Sequence, residues 1–212
     1  MNMRVSSISS SSVRAAPQQE RSARRLAGFL EAAAELFSEI GFEGTTMQAI
    51  ADRCESSIGA LYNYFPDKQS VAATLLSRYA EELQWRLQSL MEHSEKLSTA
   101  QFAGVFIDCI IQLAQDRPAY WNLHSAPIRL RRDPAARKAL RSIIANAFRT
   151  KNPALSSERA LLAANVALQI VKGMINLYLE SETKTKTLVV AEFRRVLSSY
   201  LEEVLAERQG DR

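Results

Sequence analysis

Residues 45–68 constrain the fold more than any other stretch, because they predict two short helices joined by a tight turn. Thr46 and Ser57 are candidate N-caps of the two helices, since either side chain can accept a hydrogen bond from a backbone N–H of the first turn. Apolar residues recur at helical spacing in each segment. They are Met47, Ile50, Ala51 and Cys54, then Ala60, Leu61 and Tyr64. Helices joined by so few residues cross steeply, as in a helix-turn-helix, whose second helix can enter a DNA major groove about 12 Å wide.

The rest of the chain is also predicted to be helical, so the expected fold class is all-α. Only 7 glycines and 6 prolines occur among 212 residues, and no stretch alternates Val, Ile and Thr as a strand would. An amphipathic helix is expected from Ser22 to Ile40, ending at Gly41, where glycine suits a left-handed C-cap. Further helices are expected at about 67–93, 98–115, 134–148 and 156–179, followed by a last helix that carries Leu188 to Leu205.

Three segments follow from this pattern. Residues 1–19 are rich in serine and poor in apolar side chains, so we expect a disordered N-terminal arm. Residues 20–68 are expected to form a three-helix head, and residues 69–208 a larger helical body. Arg24 and its basic neighbours at the start of the head could touch a phosphate or a minor groove, and a merely solvated tail is the alternative.

The basic excess of the chain does not lie in the head. The formal net charge is +4, yet residues 1–70 hold seven Arg and Lys against eight Asp and Glu, whereas residues 125–151 hold eight against one. Net charge therefore carries no argument for DNA binding by the head. We interpret the basic cluster at 129–151 as a solvated face, with an acidic ligand or an anionic partner surface as alternatives.

Several function classes find no support in the sequence. No apolar run approaches the ~20 residues of a membrane span and no secretory signal is visible, so we expect a cytoplasmic protein without membrane contact. Cys54 and Cys109 make neither a disulfide framework nor a metal cluster; both are interpreted as core residues, with a redox-sensing thiol as the alternative. No spacing resembles a metal site, a phosphate loop or a nucleophile elbow, so we expect no catalytic residue, metal, cofactor or enzyme activity.

The head resembles the DNA-binding domain of the TetR family of bacterial transcriptional regulators over roughly residues 22–76. The matching residues are Gly41-Phe42, Thr45-Thr46, Ile50-Ala51, Ser57, Gly59, Leu61-Tyr62, Tyr64-Phe65 and Lys68. The resemblance implies a homodimeric regulator, usually a repressor, that binds palindromic double-stranded operator DNA and is released by a small-molecule effector in its body. It also implies dimerisation through the two C-terminal helices and a phosphate clamp at Lys68.

One short segment departs from the family pattern. Relatives commonly have Ala-Gly-Val where this chain has Cys54-Glu55-Ser56. Glu55 stands where glycine would relieve a left-handed backbone, at a cost of about 1 kcal/mol, and it brings negative charge near the DNA. The alternative function is therefore a helical ligand-binding dimer whose degenerate head no longer reads DNA.

Side-chain chemistry indicates how the head could contact DNA. The small residues Gly59 and Ala60 in the first turn of the recognition helix permit close approach to the duplex. Asn63 is the residue best suited to read a base edge, and Tyr62 and Tyr64 can each direct a phenol to a phosphate. The predicted DNA-binding residues are Arg24, Thr46, Gln48, Ser57, Ile58, Gly59, Ala60, Tyr62, Asn63, Tyr64 and Lys68.

The body carries candidates for a ligand site, because pockets are mostly apolar with a few polar groups. The densest cluster of aromatic and polar side chains outside the head lies at residues 119–124. The predicted ligand-binding residues are Trp85, Phe106, Tyr120, Trp121, His124, Met174 and Tyr178. Ordinary core packing is the alternative for each of them.

Overall fold

The computed structural model describes residues 12–91, 94–126 and 134–206, and within these ranges all regular secondary structure is helical. The helices are α1 Ser12–Gly44, α2 Met47–Arg53, α3 Ile58–Tyr62, α4 Lys68–Met91, α5 Thr99–Asp116, α6 Ala119–Ser125, α7 Pro134–Lys151, α8 Ser157–Glu180 and α9 Thr183–Ala206, with a 3₁₀ turn at Ser94–Lys96. The all-α prediction is confirmed, and α4, α5, α7, α8 and α9 have bounds close to the predicted ones.

Helix α1 differs from its prediction at both ends. Residues 12–19, predicted to be disordered, are helical. The alanines and glutamines here favour a helix and extending a helix needs no new nucleus, whereas Pro17 inside the segment disfavours it. The rest of the predicted arm, residues 1–11, lies outside the described residues. The predicted break at Gly41 is confirmed, with φ 73°, but its ψ of 175° is extended rather than left-handed helical, and a further helical turn follows to Gly44.

The head consists of α1, α2, α3 and the first turns of α4. Its core is apolar, since the side chains of Phe29, Phe37, Ile50, Leu61 and Val71 are fully buried. These residues come from all four helices, and the apolar spacing that predicted each helix is what directs them to one centre. The two helices of the helix-turn-helix are therefore held on α1 by burial, which fixes how they cross.

The body is a bundle of α4 to α9. Helix α5 packs against α9, α7 packs against α8, and α4 contacts both α5 and α7. Helix α8 buries four alanines, which lets α7 and α9 approach closely. They are Ala160, Ala163, Ala164 and Ala167. Helix α6 contacts α4, α5 and α8 of the body as well as α1 of the head, so it lies at the junction of the two parts.

Helix α8 is long and apolar enough to cross a membrane by length and composition, with a mean hydropathy of 1.5 over its most apolar stretch. This differs from the expectation that no segment of the chain would reach that level. The physical reason lies in its packing, since α8 contacts α6, α7 and α9 and carries seven buried residues. A core helix that is apolar on a wide face meets the same criterion, so the finding is weak evidence for a span.

Candidate DNA-binding head and ligand cavity

The N-terminal caps of α2 and α3 are both formed as predicted. The hydroxyl of Thr46 accepts a hydrogen bond from the N–H of Ala49 at 3.1 Å, and the hydroxyl of Ser57 accepts one from the N–H of Ala60 at 3.2 Å. Both capping residues have extended backbone, as an N-cap requires. The buried Thr45 next to the first cap donates its hydroxyl to the carbonyl of Gly41 at 2.7 Å. The start of α2 is thus attached to the end of α1.

The turn between α2 and α3 is closed by two backbone hydrogen bonds. The N–H of Glu55 donates to the carbonyl of Asp52 at 3.0 Å, and that of Ser56 donates to the carbonyl of Ala51 at 2.9 Å, which is the Schellman pattern. Glu55 has φ 49°, the only positive φ of a non-glycine residue in the described ranges. The predicted left-handed backbone at this glutamate is therefore confirmed.

The residues that α3 and its caps expose to solvent are uncharged. Ser57, Gly59, Tyr62 and Asn63 are exposed, while Leu61 between them is fully buried and anchors the helix. A Cβ atom placed on Gly59 would meet nothing within 4 Å, so the interior of the protein does not require a glycine at this position. An atom that approaches this turn from outside finds backbone rather than side chain.

Three other predicted DNA-binding residues are exposed and two are half-buried. Arg24, Thr46 and Gln48 are exposed, whereas Ile58 and Ala60 pack partly against the core of the head. Gln48 donates its amide to the Asp52 carboxylate at 2.7 Å, and Arg24 lies 3.3 Å from the Glu20 carboxylate, one turn earlier on α1. Both contacts are surface contacts within one helix, of the kind that exchanges readily with an external partner.

Tyr64 lies outside α3 and contacts α1, which the sequence did not predict. It follows the C-cap residue Asn63, its ring lies 5.7 Å from that of Phe29, and its hydroxyl shares a hydrogen bond of 3.0 Å with the hydroxyl of Ser22. Helix α3 is shorter than predicted because the chain must turn toward Pro66 and α4. The phenol of Tyr64 thus ties α3 to α1.

Lys68 lies at the start of α4, as expected, and its ammonium is directed into the protein. Its ammonium donates to the carbonyls of Phe42 and Thr45, each at 2.6 Å, and to that of Glu43 at 3.3 Å, and it lies 4.3 Å from the centre of the Phe42 ring. An ammonium has three N–H donors, and all three have acceptors here. In this structure Lys68 caps the connection between α1 and α2, and its role as a phosphate clamp stays a prediction.

Arg53 forms an ion-pair cluster that sequence reasoning missed. Its guanidinium donates to both carboxylate oxygens of Glu39, at 2.8 and 3.0 Å, and to Glu35 at 3.0 Å, which joins α2 to α1. The hydrogen bond from Arg53 lowers the pKa of Glu39. Glu35 and Glu39 are one helical turn apart, so the sequence places them on one face of α1. The sequence does not show that Arg53 of α2 lies opposite this face, because that depends on how the two helices cross.

A cavity of about 220 Å³ lies in the body among α4, α5, α6, α7 and α8. Its apolar wall consists of Leu83, Ile110, Leu140, Leu168, Val171 and Ile175. Its polar wall consists of Tyr120, His124, Arg141, Gln169 and Lys172. Of the seven predicted ligand residues, Tyr120 and His124 line this cavity, with their rings 4.9 Å apart.

The other five predicted ligand residues lie elsewhere. Trp85 is 74% exposed on α4, while Phe106 and Met174 are buried in the core. Trp121 and Tyr178 stack on each other with ring centres 5.2 Å apart, and neither lines the cavity. The structure does not bring these five residues to this cavity, since residue type alone does not determine which way a helix face points, and ligand binding by them stays a prediction.

The sequence contains a pattern from which some of the polar cavity residues, which were not predicted, could have been found. Within the apolar run of α8 the polar residues Asn165, Gln169, Lys172 and Asn176 recur at helical spacing, which predicts a polar stripe on one face. Gln169 and Lys172 of that stripe line the cavity. Arg141, from the basic cluster, faces them from α7, whereas residues 129–133 of that cluster lie outside the described residues.

A second depression, of about 450 Å³, lies beside the 3₁₀ turn and is more open and more polar than the cavity among α4 to α8. Its cation, Lys151, already donates to the backbone carbonyls of Ser94 and Leu97, and burial lowers its pKa. In the described part of the chain, no group of three or more His, Cys, Asp or Glu side chains could hold a metal ion. Burial raises the pKa of the Cys109 thiol, which disfavours a reactive thiolate.

One side chain of α6 joins the body to the head. The amide of Asn122 donates to the carbonyls of Phe37 and Ser38, at 2.8 and 3.1 Å, in the last turn of α1 before the break at Gly41. Helix α6 also supplies Tyr120 and His124 to the cavity. A single short helix thus contacts both the cavity and the head.

The fold and the capped, outward-facing α3 define a helix-turn-helix transcriptional regulator. Two family models match the chain: "Bacterial regulatory proteins, tetR family" over residues 29–75 and "Tetracyclin repressor-like, C-terminal domain" over residues 98–201. Together they match more than half of its length, and the chain belongs to the TetR family. Members of this family are transcriptional regulators rather than enzymes; they bind DNA and small-molecule ligands, and they dimerise.

Curated relatives are similar over part of their length. The chain is 34% identical over 76 residues to the HTH-type transcriptional repressor KstR of Mycobacterium tuberculosis, which covers 36% of this chain and 33% of the relative. It is 30% identical over 87 residues to the HTH-type transcriptional regulator UidR of Escherichia coli K12, which covers 41% of each. The chain thus spans well under half the length of these relatives.

Solved structures show the same fold over nearly the whole chain. A TetR-family regulator from Pectobacterium atrosepticum superposes with a TM-score of 0.68 at 19% identity, covering 89% of this chain and 98% of the other. One from Streptomyces coelicolor superposes with a TM-score of 0.66 at 19% identity, covering 85% and 99%. At this level of identity the likeness concerns the fold alone.

Proposed function

We propose that the protein is a cytoplasmic repressor that binds a palindromic operator as a homodimer and is released by a small molecule bound in the body. The observation that carries DNA recognition is the outward face of α3, where Ser57, Gly59, Tyr62 and Asn63 are exposed above the buried Leu61. A helix presented in this way can enter a major groove, and the open space at Gly59 allows backbone and DNA to approach closely. Repression is supported by the relative KstR, which is named a repressor.

Dimerisation is supported by apolar side chains that a single copy leaves exposed. Leu161, Leu162 and Leu177 on α8 and Leu188 and Val196 on α9 are each more than 40% exposed. Two helices from each copy would bury these side chains in a four-helix interface. Two heads related by a twofold axis would then address half-sites about one helical turn of DNA apart.

Release by a ligand is supported by the placement of α6. This helix contributes Tyr120 and His124 to the cavity and Asn122 to the end of α1. A molecule that fills the cavity would act on the same helix that positions the head. It shifts the head only if its affinity differs between the two arrangements of the protein.

DNA recognition through α3 can be tested with a matched pair of glycine variants. Gly59 in α3 and Gly104 in α5 are both helical glycines at which a new Cβ meets nothing within 4 Å. We expect Gly59→Leu and Gly104→Leu to fold, because leucine is the better helix former. Only Gly59→Leu should weaken retention of DNA from upstream of the protein's own coding region, by at least tenfold in a gel-shift titration at moderate salt.

The competing function is a ligand-binding dimer whose head no longer reads DNA, and it is favoured by the strained Glu55 and the internal use of Lys68. Tyr62→Ala distinguishes the two functions, since Tyr62 is half-exposed and its loss leaves the core intact. An operator binder loses DNA affinity and stays folded and dimeric. If the unaltered protein retains no adjacent genomic DNA specifically, the repressor proposal is wrong.

A further inference from the structure

We propose that the cavity among α4 to α8 takes a small organic monoanion, a carboxylic acid with a compact apolar body; this assignment rests on the proposed ligand-responsive function. The first observation is the charge of the wall. Arg141 and Lys172 line the cavity, and among the residues that the structure describes no aspartate or glutamate does. A ligand that enters meets two cations and, in this described part of the lining, no competing carboxylate.

The second observation is that these two cations are free of partners within the described residues. Arg53, Arg86, Arg117 and Arg194 each form an ion pair with a carboxylate of the protein. Across the same ranges, no hydrogen bond or ion pair is made by the side chains of Arg141 and Lys172. Arg141 is half-buried, so an anion that reaches it forms a charge-assisted hydrogen bond sheltered from water.

The third observation is the shape of the remaining wall. Six aliphatic side chains and the Tyr120 ring supply the apolar part of the lining, and Gln169 and His124 add polar groups that can hydrogen-bond. A volume of about 220 Å³ lies below the ~300–1,000 Å³ of pockets for drug-sized ligands. The ligand is therefore small, with on the order of ten non-hydrogen atoms, one anionic group and an otherwise apolar body.

The test uses isothermal titration calorimetry of the full-length protein with small probes that share a phenyl ring and differ in charge. The probes are benzoate and phenylacetate, their neutral amides, and benzylamine as the cation. We expect each carboxylate to bind at least tenfold more tightly than its amide, and benzylamine not to bind. Equal binding of acid and amide, tighter binding of benzylamine, or no binding of any probe at millimolar concentration overturns the assignment.

Two variants and one control locate the binding. Arg141→Gln should remove the preference for the carboxylate, and Lys172→Gln, at an exposed position, should reduce it even if the first variant folds poorly. Lys138→Gln lies one turn before Arg141 on α7, is exposed and does not line the cavity, so it should change nothing. A preference that survives both cavity variants places the binding elsewhere and overturns the assignment.

Gel-shift measurements separate this inference from the proposed function. A protein that retains its operator but binds no carboxylate remains a DNA-binding regulator, and only the ligand class is wrong. A protein that binds carboxylates through Arg141 and retains no DNA keeps the ligand class, and the repressor proposal fails.

Discussion

Glu55 occupies a backbone conformation that its side chain disfavours, and the turn around it holds it there. The two Schellman hydrogen bonds, to Asp52 and Ala51, satisfy carbonyls at the end of α2 that would otherwise lack a donor. A left-handed residue other than glycine costs about 1–2 kcal/mol because its Cβ approaches a carbonyl oxygen. The turn keeps its geometry at the expense of stability.

Replacing Glu55 by glycine should therefore stabilise the protein. We expect Glu55→Gly to raise the free energy of unfolding by about 1 kcal/mol, measured by urea denaturation. Ser56→Gly is the control, since Ser56 has no positive φ and should gain nothing. A loss of stability in Glu55→Gly would contradict the strain that we assign to this residue.

Lys68 illustrates how a charged residue in a DNA-binding motif can act inside the protein. Its three hydrogen bonds to the carbonyls of Phe42, Glu43 and Thr45 hold the connection that orients α2 on α1. A cation with four carbons of side chain can reach inward along apolar surface, here the Phe42 ring, as readily as outward.

Lys68→Met should destabilise the head, because it keeps the apolar stem and removes the donors of those carbonyls. We expect the free energy of unfolding to fall by about 2 kcal/mol in urea denaturation. Lys138→Met, at an exposed position on α7, is the control and should have little effect. Unchanged stability together with weaker DNA binding would instead make Lys68 a phosphate contact.

At the scale of the helices, most of the fold could be predicted from the sequence. Apolar spacing and the capping hydroxyls of Thr46 and Ser57 indicate helices because both effects are local. The residues that line the cavity could not be predicted in the same way. Leu83 and Trp85 are two residues apart on α4 and so point in nearly opposite directions; one lines the cavity and the other is 74% exposed. Which of them faces inward depends on how α4 packs in the bundle.

The junction of α4, α5 and α6 is held by an ionic network. Arg86 of α4 forms an ion pair with Glu82, one turn earlier on the same helix. It forms a second ion pair, of 2.7 Å, with Asp116 at the end of α5. Arg117 donates to Glu82 at 2.9 Å. Burial alone would raise the pKa of Glu82, but the hydrogen bonds from Arg117 and Arg86 outweigh it, so the pKa lies below its ordinary value.

This network predicts a loss of stability in acid. A carboxylate whose pKa is lowered by folding contributes stability above its ordinary pKa of 4.5, and the contribution disappears as the pH falls through the lower, folded-state value. We expect Glu82→Gln to be less stable than the unaltered protein in urea at pH 6, and the deficit to shrink as the pH falls from 4.5 to 3. Glu81→Gln, exposed on the same helix, is the control and should follow the unaltered protein at both pH values. An equal deficit at pH 6 and pH 3 would exclude an ionic origin.

At the scale of the whole molecule, the exposed apolar side chains of α8 and α9 predict where two copies meet. Leu188 is 65% exposed on α9, and burying a leucine side chain contributes roughly 1.5–3 kcal/mol. We expect Leu188→Lys to raise the dimer dissociation constant by at least tenfold in sedimentation velocity measurements. Trp85→Lys is the matched control, since Trp85 is an exposed large apolar residue on another helix. Dissociation of the Trp85→Lys variant instead would place the interface on α4.

Under the proposed release by a ligand, the hydrogen bonds from Asn122 to the end of α1 are part of what a molecule in the cavity must overcome to move the head. Two such bonds stabilise one arrangement by about 1–3 kcal/mol, an equilibrium preference of roughly five- to more than a hundredfold. A complete reversal of a strongly biased equilibrium would need a ligand with about 10⁴-fold different affinities for the two arrangements. If the proposed release is correct, the share of the joint that these two bonds contribute can be overcome by a ligand whose affinities for the two arrangements differ by that same five- to more than a hundredfold.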